Sequence, residues 1–77
     1  MYNISIADDE PIVIESLRFI LDREFPGVFN CFDADSGLKV IQICRTQKID
    51  LAFIDINMPG INGLEAIREI KQFNPSI

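Results

Sequence analysis

The sequence predicts an α/β fold built on a parallel sheet, and three observations carry that prediction. Short apolar runs alternate with longer segments whose apolar residues recur at helical spacing, giving the order βαβαβα. Each longer segment opens on a helix-starting residue and closes at a proline, glycine or basic residue. The run Leu51-Ala52-Phe53-Ile54 is apolar at every position rather than at alternate ones, as a parallel strand buried on both faces requires.

The elements follow in order. Ile4-Ser5-Ile6-Ala7 forms a first strand, at about residues 3–8, that runs into Asp8-Asp9-Glu10-Pro11. Proline suits the first turn of a helix because its missing N–H has no partner there. A helix over about 11–25 carries Val13, Leu17, Ile20 and Leu21 as its apolar stripe and stops at Phe25-Pro26-Gly27. A second strand occupies about 28–33. Asp35 or Ser36 caps a second helix, at about 36–46, with Val40, Ile41, Ile43 and Cys44 on its stripe. The third strand lies at about 50–55, followed by the loop Asp55-Ile56-Asn57-Met58-Pro59-Gly60. Asn62, with Glu65 three residues on, makes a capping-box start for a helix at about 63–73, striped by Leu64, Ile67 and Ile70.

Composition bounds what such a chain can do. With 77 residues it has roughly half the length of an ordinary domain and one hydrophobic core at most. Hydrophobic residues at 48% and charged residues at 25% are those of a globular domain. Lys+Arg 7 against Asp+Glu 12 gives a net charge of −5, which argues against nucleic-acid binding by this segment through phosphate neutralisation. The apolar runs are too short to span a bilayer and the N-terminus has no signal-peptide pattern, so a cytoplasmic location is expected. Cys31 and Cys44 lack CxxC spacing and there is no histidine, so the pair is read as small apolar residues rather than a zinc site or disulfide framework.

Parallel crossovers are right-handed, so strand order decides where the loops meet. If the second and third strands flank the first, order 2-1-3 puts the first two helices on opposite faces and makes the carboxyl ends of strands one and three a topological switch point, the usual ligand crevice of open α/β sheets. Asp8 and Asp9 leave the first strand there, and Asp55 leaves the third beside them. Three carboxylates without a local basic residue either share protons or are offset by a cation. Hard oxygen ligands on an open crevice suit Mg²⁺, and a carboxylate not wholly consumed as a ligand can act as a nucleophile toward a phosphoryl group. Taken singly, each feature has a plainer reading. Asp8-Asp9-Glu10 can be a helix start that favours the macrodipole, Asp55 a loop residue, Met58-Pro59-Gly60 a turn, and Gly63 a backbone requirement.

Together the motifs resemble the receiver domain of bacterial two-component response regulators. Ala7-Asp8-Asp9-Glu10-Pro11 is similar to that family's acidic pair after the first strand. The stretch from Leu51 to Glu65 is similar to its strand, phosphoacceptor and loop, and Asp35-Ser36-Gly37 to its second helix start. The resemblance implies a flavodoxin-like five-stranded sheet of order 2-1-3-4-5. It implies that Asp55 accepts a phosphoryl group from a sensor histidine kinase or a small phosphodonor. Asp9 and Asp55 would ligate Mg²⁺ directly, Asp8 directly or through water, and the backbone carbonyl of Asn57 would complete the protein ligands. Pro59, Gly60 and Gly63 would shape the loop.

The family also uses a Ser or Thr after strand four and a Lys after strand five, and neither can be assigned. The sequence reaches Asn74-Pro75-Ser76-Ile77 about where a fourth strand would begin, so a partial receiver lacking strands and helices four and five is expected. Slow or undetectable phosphorylation of this segment alone follows, with the output domain, which is commonly DNA-binding in the family, elsewhere in the intact protein. Two other readings compete. A haloacid-dehalogenase-type phosphatase also places a nucleophilic aspartate after an apolar strand, but it carries a second acid two residues on, where this chain has Asn57, and then Gly-Thr, where it has Met58-Pro59. The other is an interaction module whose third-strand edge pairs with another chain, predicting an oligomer.

Overall fold

The computed structural model describes residues 1–77. The elements are β1 (Tyr2–Ala7), α1 (Pro11–Glu24), β2 (Phe29–Ala34), α2 (Gly37–Thr46), β3 (Leu51–Ile54) and α3 (Gly63–Phe73). The three strands are parallel in the order β2-β1-β3, with Ile4 between Cys31 and Leu51 in register and Ile6 between Asp33 and Phe53. This is the α/β order argued from the sequence. Strand limits differ from expectation by one residue. The ladder nonetheless runs past them, since the Asp50 amide donates to the Asn3 carbonyl at 2.8 Å and the Asp8 amide to the Ala34 carbonyl at 3.0 Å.

The sheet divides the core in two. On one face Ile4 and Ile6 pack with Ile14 of α1, supported by Leu17 and Leu21. On the other, Ala7 and Ala34 share a larger cluster with Val40, Ile41 and Cys44 of α2 and Ala66 and Ile70 of α3. Ser5 also lies fully buried, and its hydroxyl donates to the Phe32 carbonyl at 3.2 Å, which satisfies the group without a side-chain partner.

Three expectations about burial are corrected. β3 is not covered on both faces: Leu51 and Phe53 are each 45% exposed. They lie beside Ile4 and Ile6 in register, on the face that α1 alone covers, and α1 packs over β1 and β2. In α1 the inward side is Ile14, Leu17 and Leu21, while Ile20 is exposed. In α3 the inward residues are Ala66 and Ile70, while Leu64 is exposed and Ile67 lies partly exposed in a hollow beside Leu51 and Ile54. Ala66, outside the expected stripe of Leu64, Ile67 and Ile70, is fully buried, and of that stripe Ile70 is buried with it.

The helix ends are held as their sequences imply. The Ser36 side chain accepts from the Lys39 amide at 3.2 Å, so Ser36 rather than Asp35 caps α2. Asn62 and Glu65 form the reciprocal capping box of α3. Pro11 occupies the first turn of α1.

Candidate functional site

Two backbone hydrogen bonds bring the acidic residues together. The Asp55 amide donates to the Ala7 carbonyl at 2.9 Å, which extends the β1–β3 ladder by one residue and seats Asp55 beside Asp8. Asp8 follows directly from β1, and Asp9 begins the turn into α1. Ligand oxygens of Asp8, Asp9 and Asp55 all lie within 4.8 Å of one another. The sequence-derived triad is therefore a spatial cluster at the carboxyl ends of β1 and β3.

Its members differ in surroundings. Asp8 is only 9% exposed, and its Oδ1 accepts from the Glu10 amide at 2.9 Å, closing an Asx turn that leads into α1. Asp9 is exposed and Asp55 half-buried. The Asp55 Oδ1 accepts from the Asn57 amide at 3.3 Å, which draws Asn57 in toward the cluster. No basic side chain offsets these charges: the three ion pairs are Arg18 with Asp33, Arg23 with Glu24, and Arg45 with Glu69. Unit charges about 4 Å apart repel by roughly 1 kcal/mol even in bulk water. Oxygen-only donors, clustered and without a cationic partner, fit a hard divalent cation such as Mg²⁺.

The loop beyond Asp55 is shaped by its glycines. Gly60 has φ +74, the left-handed region that glycine enters without strain. Gly63 sits against the backbone that leaves β3: a Cβ there would come within 2.8 Å of the Asp55 carbonyl carbon and the Ile56 Cα. Its amide donates to the Ile56 carbonyl at 3.0 Å. Pro59, immediately before Gly60, is exposed. Met58, expected in a plain turn, is instead buried in the α2/α3 core, and with Ile56 and Ile61 equally apolar in the same loop no local signal singles it out.

Beside the acids, the uncovered side of β3 leaves a cavity of about 200 Å³ lined by Ile6, Leu17, Phe53 and Ile54, with Asp8 and Asp55 on its rim. Neither cysteine belongs to the site. Burial pushes the Cys44 thiol above its ordinary value; Cys31 is raised chiefly by burial, against an opposing pull from Arg18.

Comparison with known proteins agrees with this arrangement. Residues 4–77 match the response regulator receiver domain. Response regulator UvrY of Escherichia coli K12 is 37% identical over 70 residues, covering 91% of this chain and 32% of UvrY. Response regulator TrrA of Thermotoga maritima, crystallised in complex with Mg²⁺-BeF, superposes with a TM-score of 0.89 at 33% identity. The match covers 97% of this chain and 63% of that one. TrrA in complex with the histidine kinase ThkA gives a TM-score of 0.86 at 33% identity, over 97% and 62%. The chain thus spans about a third of the curated relative and under two thirds of the solved receivers. No helix is long and apolar enough to cross a membrane. With the βαβαβα order, the clustered aspartates and a family match that runs from β1 to the last residue, the chain belongs to the response regulator receiver domain family.

Proposed function

We propose that Asp55 is the phosphoacceptor of this receiver and that Mg²⁺ is its cofactor. The observation that carries the reading is the approach of Asp8, Asp9 and Asp55 oxygens to within 4.8 Å at the switch point of the sheet. Asp9, Asp55 and the Asn57 carbonyl would hold the ion, with Asp8 contributing directly or through a water. When bound, Mg²⁺ neutralises charge on the phosphoryl oxygens.

The chain's own residues do the rest. A carboxylate oxygen of Asp55 attacks phosphorus, the bond from phosphorus to the donor nitrogen or oxygen breaks, and an acyl phosphate remains on Asp55. The Ala7 carbonyl and the Gly63 contact hold the Asp55 backbone while this happens. The Asx turn of Asp8 keeps its carboxylate within the cluster. The donor is a histidine kinase or a small phosphodonor, and the response passes to an output domain elsewhere in the intact protein. This receiver segment, at net charge −5, is not itself the part that holds nucleic acid.

Incubation of the complete receiver with Mg²⁺ and a small phosphodonor, followed by intact mass spectrometry, should add one phosphoryl group to the wild type and none to Asp55→Asn. An Asp55→Asn chain that gains the same mass overturns the assignment. The phosphatase reading has lost its ground, since the family match runs through Asp55 and its loop.

A further inference from the structure

We propose that Met58 is a positioning residue for the cation site: its buried side chain anchors the peptide that carries the Asn57 carbonyl to the core between α2 and α3. The metal-binding part of this inference rests on the function proposed above.

Between Asp55 and Asn62, Met58 is the one buried residue, 7% exposed among exposed or half-buried neighbours. It joins Val40, Ile41, Ala66 and Ile70 in the larger core cluster. A turn of this kind needs no buried side chain to close, since Gly60 supplies the left-handed residue and Asn62 caps the following helix. Met58 therefore adds something the turn itself does not require. The Asn57 carbonyl and the Met58 Cα belong to one planar peptide unit, so fixing Met58 restricts the direction of that carbonyl. At the other end the Asn57 amide is held by Asp55 Oδ1 at 3.3 Å. Asn57 is thus tied to Asp55 through the peptide that precedes it and to the core through the ligand-bearing peptide that follows. Truncating Met58 frees the second tie while every carboxylate stays in place.

The test compares Met58→Ala, the volume-conserving Met58→Leu, and Ile49→Ala. Ile49 is 4% exposed in the same core but precedes β3, at the far end of the strand from the loop. Magnesium affinity is read by calorimetry. Amide hydrogen exchange at Ile56, Asn57 and Met58 is read without metal, relative to global stability. Met58→Ala should weaken Mg²⁺ binding about tenfold or more, as loss of an outer-shell support does. Met58→Leu should bind like wild type, and so should Ile49→Ala despite its lower stability. Equal affinities for Met58→Ala and Ile49→Ala overturn the proposal. If Met58→Ala does not fold, the smaller truncation Met58→Val is read the same way. A wild-type chain that binds no Mg²⁺ refutes the proposed cofactor instead. Exchange then decides Met58 alone: faster exchange at these three amides than in Ile49→Ala supports the anchor, and equal exchange removes it.

Discussion

Gly63 shows how a residue without a side chain can constrain a neighbouring carboxylate. Its Cα lies where any Cβ would press on the Asp55 and Ile56 backbone, so Gly63→Ala must push the strand end or the helix start aside. Overpacking of this kind costs about 1–3 kcal/mol, which urea unfolding would register, and the same variant should bind Mg²⁺ more weakly. Asp9 offers the opposite case. Replacing it with asparagine removes one of three mutually repelling charges, so the metal-free Asp9→Asn chain should melt at the same or a higher temperature than wild type. Millimolar Mg²⁺ should raise the melting temperature of wild type but not of the variant, because only a bound state adds linkage stability. Cys44 carries a pH dependence. Its folded thiol is raised by burial above the ordinary value of 9.0, so the neutral form favours the fold. That contribution is complete below the unfolded thiol's pKa and is lost as pH rises toward the folded one. Stability should therefore decline in the alkaline range, less steeply in Cys44→Ala, as followed by denaturant titration. Asp8, Asp9, Asp55 and Gly63 were all legible in the sequence. Met58 was not, because its role depends on a core assembled from α2 and α3.

Among the elements, the helix starts are the parts that local chemistry specifies best. Ser36 and Asn62 each accept a hydrogen bond from an amide three residues on, at 3.2 and 3.0 Å. Glu65 returns the bond to the Asn62 amide at 3.3 Å. Ser36→Ala and Asn62→Ala should each cost about 1 kcal/mol in chemical denaturation. Asn62→Ala should also loosen the loop that ends at Gly63, whereas Ser36→Ala leaves that loop anchored. An unchanged unfolding midpoint for both would show that the caps contribute nothing. These starts could be read because a cap depends on neighbours within a few residues. The inward faces of α1 and α3 could not, since periodicity marks several apolar positions and the partner surface chooses among them. Ile14 and Ala66 became the buried positions, with Ile20 and Leu64 left outside.

For the whole molecule, β3 is the consequential element. It forms one border of the sheet, carries neither proline nor charge in Leu51–Ile54, and leaves Leu51 and Phe53 exposed on the side α1 does not reach. Native edges are usually blunted by such residues, and an apolar edge invites pairing. Concentration-dependent self-association of the chain is therefore expected. Lysine at both Leu51 and Phe53 should reduce it, as measured by light scattering. A wild-type chain that scatters as a monomer over a wide concentration range would remove the argument. The third strand's continuous apolar run was correctly read as a strand. Its cover was misread, because composition records what a strand is suited to touch and not which neighbour is within reach.

The sequence by itself determined the succession of elements and the identity of the acidic residues, while the strand order entered with the family resemblance. Periodicity, caps and handed crossovers are local or topological constraints that hold before any packing is known. Tertiary structure decided the rest. Only the β1–β3 ladder, through the bond from Asp55 to Ala7, brings distant carboxylates within 4.8 Å. Only the joint packing of α2 and α3 turns Met58 from a turn residue into an anchor. Both depend on contacts between segments far apart in the chain, whose free energies no single stretch of residues contains.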